Sequence, residues 1–150
     1  MSKVSIRIAQ ASEHRQLEEL QMRASLGNAG DREALLQNPE AVQTPIEQIH
    51  DCRLFVAELD GRIVGFAALE WTADNCAELD ALFVEPSMQR HGIGRALIQH
   101  CKSVVKGRGM TAILVIGNPH AERFYSATGF MSLGSVETRF GVGHRLKLDL

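Results

Sequence analysis

The residues best suited to do chemistry in this sequence form a glycine-containing loop at positions 89–95. In order they are Gln89, Arg90, His91, Gly92, Ile93, Gly94 and Arg95. A predicted strand ends just before the loop and a predicted helix starts within it, so unpaired backbone N–H groups and the positive end of the helix dipole converge there. Glycines let the backbone approach an anion closely, and the basic side chains add charge-assisted hydrogen bonds. The pattern predicts a phosphate-binding site.

Two other phosphate-binding motifs do not match this loop. A dinucleotide-binding GxGxxG motif needs a glycine where the sequence has Leu97, and the acidic residue expected about 20 positions later is missing. A P-loop needs a GK[ST] triplet, which occurs nowhere in the chain. Taken alone, Gly92 and Gly94 are also compatible with a plain tight turn.

The elements on either side of the loop form one predicted unit. Residues 76–84 read as a strand that Glu85 and Pro86 end. Apolar residues then recur at helical spacing from Ile93 to about residue 106, before Gly107 and Gly109. Residues 111–116 are a short apolar, β-branched run, typical of a buried strand that follows a helical crossover. The unit is therefore strand, loop, helix and parallel strand.

The rest of the chain supplies further strands and helices. A hairpin is predicted at Asp60-Gly61, because this dipeptide favours a tight primed turn. Ser12 is the predicted cap of a first helix that runs to about residue 26. The remaining predictions are strands at 4–9, 53–59, 62–70, 130–136 and 144–148, helical turns at 31–36 and 45–50, and a helix from Asn118-Pro119 to Gly129.

Two segments in this order resemble the GNAT (GCN5-related N-acetyltransferase) family. The first is Leu82-Phe83-Val84-Glu85-Pro86 with the loop Gln89 to Arg95, which is similar to the family pattern Q/R-x-x-G-x-G/A and its preceding strand. The second, at residues 118–130, looks like N-x-x-A-x-x-F-Y-x-x-x-G-F. The resemblance implies an α/β (α+β) acyl-CoA N-acyltransferase fold, with a mixed, mostly antiparallel sheet of six to seven strands flanked by about four helices.

The resemblance also implies the donor site. In the family the loop holds the coenzyme A pyrophosphate through backbone amides, and the end of the preceding strand pairs with the pantetheine arm. Phe83 and Val84 would then offer main-chain groups, and Asn118, besides its role as a helix cap, would reach the pantetheine. The residues expected to bind acetyl-CoA are Leu82, Phe83, Val84, Gln89, Arg90, His91, Gly92, Ile93, Gly94, Arg95, Asn118 and Tyr125.

Amide formation from a thioester needs a neutral amine and a protonated sulfur leaving group. By the resemblance, Tyr125, the only tyrosine in the chain, is the expected acid. Glu78 and Asp80 share one face of the predicted strand, because side chains two apart point the same way. The resemblance favours Glu78 as the base, with Asp80 or a water relay as alternatives. Backbone N–H of Val84 or its neighbour is the expected oxyanion donor.

Composition narrows the class of protein. The chain has 150 residues, of which 45% are hydrophobic and 23% charged, and this balance predicts one domain spanning 1–150. A net charge of −2 gives no basic field for nucleic acid. Three cysteines without a CxxC pair, together with histidines lacking ligand spacing, predict no metal site and a reduced, cytoplasmic protein. No apolar run reaches the roughly 20 residues that span a bilayer.

The sequence leaves the acceptor open. The expected function is transfer of an acetyl group to a primary amine of a small molecule or peptide, with a non-catalytic acyl-CoA-binding module as the alternative. A macromolecular acceptor with a basic tail is a third possibility. Family members usually build the acceptor pocket from the region that here contains Met22, Arg23, Asn28, Asp31 and Arg32, with Trp71 nearby. Many members dimerise through late strands, which implies a homodimer.

Overall fold

The computed structural model describes residues 3–27, 44–72, 74–117, 121–138 and 141–150. These residues contain seven strands and four α-helices. The strands are β1 Ser5–Ile8, β2 Leu54–Leu59, β3 Arg62–Trp71, β4 Cys76–Val84, β5 Ala112–Gly117, β6 Met131–Thr138 and β7 Gly141–Asp149. The helices are α1 His14–Gly27, α2 Ile46–His50, α3 Ile93–Gly107 and α4 Glu122–Ala127. Short 3₁₀ turns lie at Ala11–Glu13 and Pro86–Met88.

The strands form a single mixed sheet in the order β1-β2-β3-β4-β5-β7-β6. Neighbouring strands are antiparallel except β4 and β5, which run parallel and are joined through α3. This is the predicted unit of strand, loop, helix and parallel strand. The fold prediction of a mostly antiparallel sheet with about four helices is confirmed.

The β2–β3 hairpin has the predicted turn. Asp60 and Gly61 have φ angles of 52° and 78°, so both central residues adopt the left-handed conformation that a type I′ turn requires. The turn sets the register in which Leu59 faces Arg62 and Val56 faces Phe66. The residues of the turn therefore determine how β2 and β3 pair.

Apolar side chains pack on both faces of the sheet. We call the two sides the α3 face and the α1 face, after the helix that covers each. On the α3 face, Leu97 and Cys101 of α3 are fully buried against the strands, as their helical spacing predicts. On the α1 face, Leu17 and Leu20 of α1 and Ile49 of α2 pack on Phe66. Each fully buried side chain of this size contributes about 1.5–3 kcal/mol to folding.

The start of α1 differs from the prediction. Ser12 lies inside the 3₁₀ turn Ala11–Glu13 and does not cap the helix. The backbone N–H of Gln10 instead donates to Glu13 Oε1 at 2.8 Å, which satisfies an amide that the turn leaves unpaired. The turn predicted at 45–50 is α2, whereas the one predicted at 31–36 lies outside the described residues.

Candidate active site at the parting of two strands

The central feature of the site is the point where β4 and β5 part. The two strands pair from Cys76–Ala112 to Leu79–Val115. Beyond Leu79, β4 continues to Val84 paired only with β3, while the last residues of β5 pair with β7. One edge of β4 is therefore open over its last residues, and its backbone groups there are available to a ligand.

A β-bulge shapes this part of β4. Ala68 pairs with Ala81 and Leu69 with Leu79, so Asp80 is an extra residue opposite the β3 ladder. A bulge bends the strand and changes which side chains and amides point in a given direction. After the bulge, Leu82 and Val84 pack on the α3 face, whereas Ala81 and Phe83 pack on the α1 face.

The open edge presents the main-chain groups of alternate residues. Glu85 N–H donates to Val64 O at 2.8 Å, so this residue faces β3. Because antiparallel pairing alternates along a strand, Phe83 also directs its N–H and C=O to β3, and Leu82 and Val84 direct theirs to the open edge. Consistently, the Gln89 side-chain amide reaches the Val84 carbonyl at 3.4 Å. The main-chain groups of Val84 thus face the open edge and those of Phe83 face β3, and the roles of both residues in cofactor binding stay predictions.

The glycine loop follows directly and leads into α3. Arg90 and Gly92 both adopt positive φ, at 67° and 77°. A left-handed conformation costs a non-glycine residue about 1–2 kcal/mol, so Arg90 is held in a strained backbone of the kind found at ligand-binding loops. Gly92 is the N-cap of α3 and has no heavy atom within 4 Å of the position where a Cβ would lie. The space above it is open.

The loop combines unpaired amides with positive charge. The first helical hydrogen bond runs from Ala96 N–H to Gly92 O, so the amides of Ile93, Gly94 and Arg95 precede the helical ladder. The side chains of Gln89, Arg90, His91 and Arg95 are exposed. Ile93 is buried in the core, so only its backbone faces the loop. The arrangement fits an anionic ligand.

Gly94 is required by packing. A Cβ at this position would lie 3.0 Å from the Phe124 ring of α4 and 3.8 Å from Val84. The missing side chain lets α4 close over the start of α3. The second glycine of the motif therefore joins the loop, β4 and α4, in addition to the close anion approach predicted for it.

Tyr125 lies on the α3 face at the end of β5. Its side chain is 7% exposed, and its ring forms edge contacts with Phe124 and Phe130, each with centroids 5.3 Å apart. A Cβ at Gly117, the last residue of β5, would lie 3.0 Å from the Tyr125 ring. The tyrosine is thus fixed beside the parting strands. Asn118, the other predicted residue of this segment, lies outside the described residues.

The predicted carboxylates lie on the opposite, α1 face. Glu78 is half-buried, and its Cα is paired with that of Glu70 on β3. Burial raises the pKa of Glu78 above its ordinary value, and the negative charges of Asp80 and Glu70 raise it further. A carboxyl with a raised pKa is a better proton acceptor near neutral pH. Glu78 and Tyr125 therefore flank the parting strands from opposite faces of the sheet.

Two residues of this cluster were missed by the sequence interpretation. Gln48 of α2 donates to both Glu70 and Asp80, and Arg53 forms an ion pair with Glu70. A glutamine and an arginine at element ends carry no local pattern that marks them as buried, so only the tertiary structure reveals them.

The predicted acceptor region is only partly described. Arg23 pairs with Glu85 just before the glycine loop, at 2.7 Å. Trp71 packs on the α3 face beneath the Arg108 guanidinium, 4.3 Å from its ring centroid, so it lies on the other side of the sheet from Glu78 and Asp80. Asn28, Asp31 and Arg32 fall outside the described residues.

Neither a cluster of metal ligands nor a membrane-spanning helix is found in the described ranges. In these ranges, no three or more His, Cys, Asp or Glu residues are placed to hold a metal ion. None of the helices described has the length and apolar character that crossing a bilayer requires.

An open strand edge followed by a helix start with unpaired amides is the arrangement of an α/β protein whose site could accommodate an extended, phosphate-bearing ligand between two parting strands. The sequence profile of the acetyltransferase (GNAT) family matches residues 15–130. The chain belongs to this family.

Curated relatives and solved structures are similar to the chain over different extents. A mycothiol acetyltransferase of Thermomonospora curvata is 35% identical over 80 residues, which cover 51% of this chain and 27% of the relative. An uncharacterized N-acetyltransferase of Methanocaldococcus jannaschii is 36% identical over 85 residues, covering 51% and 38%. The chain thus spans less than half the length of these two relatives.

Among solved structures, the PaiA N-acetyltransferase of Thermoplasma acidophilum in complex with coenzyme A has a TM-score of 0.79 at 17% identity, over 99% of both chains. An acetyltransferase of Salmonella typhimurium with acetyl-CoA has a TM-score of 0.75 at 20% identity, over 99% of this chain and 95% of the other. These likenesses establish the fold.

Proposed function

We propose that the protein is an acetyl-CoA-dependent N-acetyltransferase that moves an acetyl group to a primary amine by direct attack. The observation that carries the proposal is the open edge of β4 leading into the glycine loop at the start of α3. Family membership and the N-acetyltransferase relatives support the activity. The solved relatives that contain coenzyme A or acetyl-CoA support the donor.

The described residues fit such a donor. A pyrophosphate would accept hydrogen bonds from the amides around Gly92 and Gly94, in the open space above Gly92, with Arg90 and Arg95 adding positive charge. An extended amide-bearing arm would pair with Leu82 and Val84 at the open edge, as an added strand does. Acetyl-CoA supplies an acyl group activated as a thioester.

The two candidate catalytic side chains have complementary positions. Glu78, on the α1 face, takes a proton from the attacking ammonium or amine. The amine nitrogen bonds to the acyl carbon, the carbon–sulfur bond breaks, and Tyr125, on the α3 face, donates its phenolic proton to the departing sulfur. A backbone N–H at the open edge of β4 stabilises the oxyanion that forms between these steps. Asp80 and a water relay remain the alternatives for the base.

The acceptor is an amine-bearing small molecule or peptide. The cysteines Cys52, Cys76 and Cys101 are all free, which supports a reducing, cytoplasmic setting. We include a homodimer in the proposal, supported by the edge strand β6, where Met131 and Leu133 are 68% and 54% exposed.

The function is tested by supplying acetyl-CoA with a panel of amines and following the release of free thiol. The panel should include polyamines, aminoglycosides, amino acids, and peptides with free N-termini or lysines. We expect saturable, amine-dependent thiol release with at least one class. Binding of acetyl-CoA without turnover on any amine would support the alternative, a non-catalytic acyl-CoA-binding module.

A further inference from the structure

The carboxylate cluster on the α1 face is organised by one buried amide. The Gln48 side chain is 1% exposed, although α2, which carries it, is only five residues long. Its Nε2 donates to Glu70 Oε1 at 3.0 Å and to Asp80 Oδ2 at 2.7 Å. An amide nitrogen carries two hydrogens, so both are used, one on each of two neighbouring strands.

Arg53 supplies the second donor to the same cluster. Its guanidinium forms an ion pair with Glu70, donates to Leu69 O at 3.0 Å and donates to Asp51 Oδ2 at 3.0 Å. The pKa of Glu70 is lowered, chiefly by its hydrogen bond from Arg53 and in part by the one from Gln48. Donors that bind a carboxylate favour its ionised form.

Glu78 differs from the two neighbouring carboxylates in its hydrogen bonding. Its Cα is paired with that of Glu70 and it lies two residues before Asp80, yet among the described residues no donor makes a hydrogen bond or ion pair with it. Two of the three carboxylates are therefore held as acceptors, and Glu78 is the one to which no described donor is bound. Their fixed negative charges also make Glu78 a stronger base.

We propose that Gln48 is a positioning residue of the acetyl-transfer site, which holds Glu70 and Asp80 as hydrogen-bond acceptors and so leaves Glu78 as the carboxylate that takes up the proton. The inference rests on the proposed function, in which Glu78 is the base. Gln48 acts through these carboxylates and is not itself catalytic.

The other charged side chains around the cluster bind partners outside it. On α1, Glu18 accepts from Thr44 N–H and Arg23 pairs with Glu85. Lys147 of β7 is two strands away from Glu78 along the row Glu78, Leu114, Lys147, and it pairs with Asp149. The charged groups that act on Glu78 are Asp80 and Glu70, and Arg53 and Asp51 act in turn on Glu70.

The test compares Gln48→Met with Gln48→Glu in the pH profile of kcat. Methionine keeps the length of the side chain and removes both donors, so the Glu70 and Asp80 carboxylates are held less firmly beside Glu78 and their negative charges raise its pKa less. We expect the acid limb of the profile, the rise of kcat as Glu78 loses its proton, to move to lower pH. Glutamate adds a negative charge, so we expect the limb to move to higher pH. Loss of packing alone would not move the limb in opposite directions.

Glu47→Gln is the matched control, because Glu47 lies on the same helix but is exposed. Its acid limb should stay at the wild-type position. Acid limbs that coincide in wild type and both Gln48 variants, or that move the same way in both, would overturn the inference.

A carboxyl ¹³C NMR titration of Glu78 separates this inference from the proposed function, because it needs no turnover. A Glu78 titration that moves to lower pH in Gln48→Met supports the role of Gln48 even if no amine is acetylated, in which case the proposed function alone fails. A Glu78 titration unchanged by Gln48→Met, in an enzyme that acetylates amines, overturns the inference and leaves the function standing.

Discussion

Tyr125→Phe is expected to lower kcat by about 100-fold, the smaller end of the effect of removing a general acid. The substitution removes the phenolic proton donor and keeps the ring, whose contacts with Phe124, Phe130 and Gly117 fix its position. The KM for acetyl-CoA should change little, because the loop and the open edge are untouched. Steady-state thiol release at saturating amine measures the effect.

The matched control is Ser126→Ala, which alters an exposed neighbour on α4 and should retain wild-type kcat. A thermal unfolding curve for each variant shows whether the core around the ring is intact. If Tyr125→Phe turns over at the wild-type rate, Tyr125 has no part in the reaction beyond packing.

Glu78→Gln is expected to reduce kcat by about 100-fold or more, since a positioned base contributes on the order of 10² to 10⁴. Glutamine keeps the shape of the side chain and cannot take the proton. In the wild type, kcat should rise with pH as Glu78 loses its proton, with a midpoint above the ordinary glutamate pKa because burial and the neighbouring charges raise it. This acid limb should be absent from the variant.

Asp80→Asn tests the alternative base. Its carboxylate is bound by Gln48, so we expect a smaller loss of kcat and an acid limb moved to lower pH, because one negative charge beside Glu78 is removed. A severe loss in Asp80→Asn with full activity in Glu78→Gln would reassign the base to Asp80. Full activity in both variants would favour a water relay.

The raised pKa of Glu78 also has a consequence for stability. A group whose pKa is higher in the folded than in the unfolded protein contributes stability below its unfolded pKa and loses that contribution as pH rises through the folded value. Ionised Glu78 therefore opposes folding at neutral pH. Glu78→Gln should accordingly be at least as thermally stable as the wild type at pH 7, so its loss of activity would not reflect unfolding.

The sequence predicts those parts of the fold that depend on local chemistry. Asp60-Gly61 sets the hairpin because both residues adopt positive φ in the turn. The bounds of β4, Cys76–Val84, are those predicted, since turn residues follow it and a loop precedes it. The glycine loop is placed correctly because its strand and helix each have a clear hydrophobic period.

Features that depend on pairing between distant segments were not predicted. The bulge at Asp80 arises from the register with β3, and no residue type in β4 marks it. The direction of the Phe83 main-chain groups also follows from that register. The contacts of Gln48 in α2 and of Arg53, just before β2, reach strand residues 32 and 16 positions later, and a polar residue near a turn gives no sign of burial.

The packing role of Gly94 was also hidden, because its partner Phe124 is 30 positions away in the chain. Gly92 fits the predicted pattern better, since its positive φ and the open space above it are both properties of the loop itself.

The central claim is that acetyl-CoA binds at the start of α3, and calorimetric titration of Gly92→Glu against the wild type tests it most directly. Gly109→Glu is the matched control: Gly109 follows the other end of α3, has a φ of 76° against 77° for Gly92, and likewise has nothing within 4 Å of a Cβ. Both variants carry the same backbone strain, but only one places a negative charge beside the pyrophosphate. We expect saturable binding by the wild type and by Gly109→Glu, and at least about 100-fold weaker binding by Gly92→Glu, or about 2.7 kcal/mol. Folded wild-type protein that does not bind acetyl-CoA, or equal affinity in all three proteins, would contradict the assignment of the donor site.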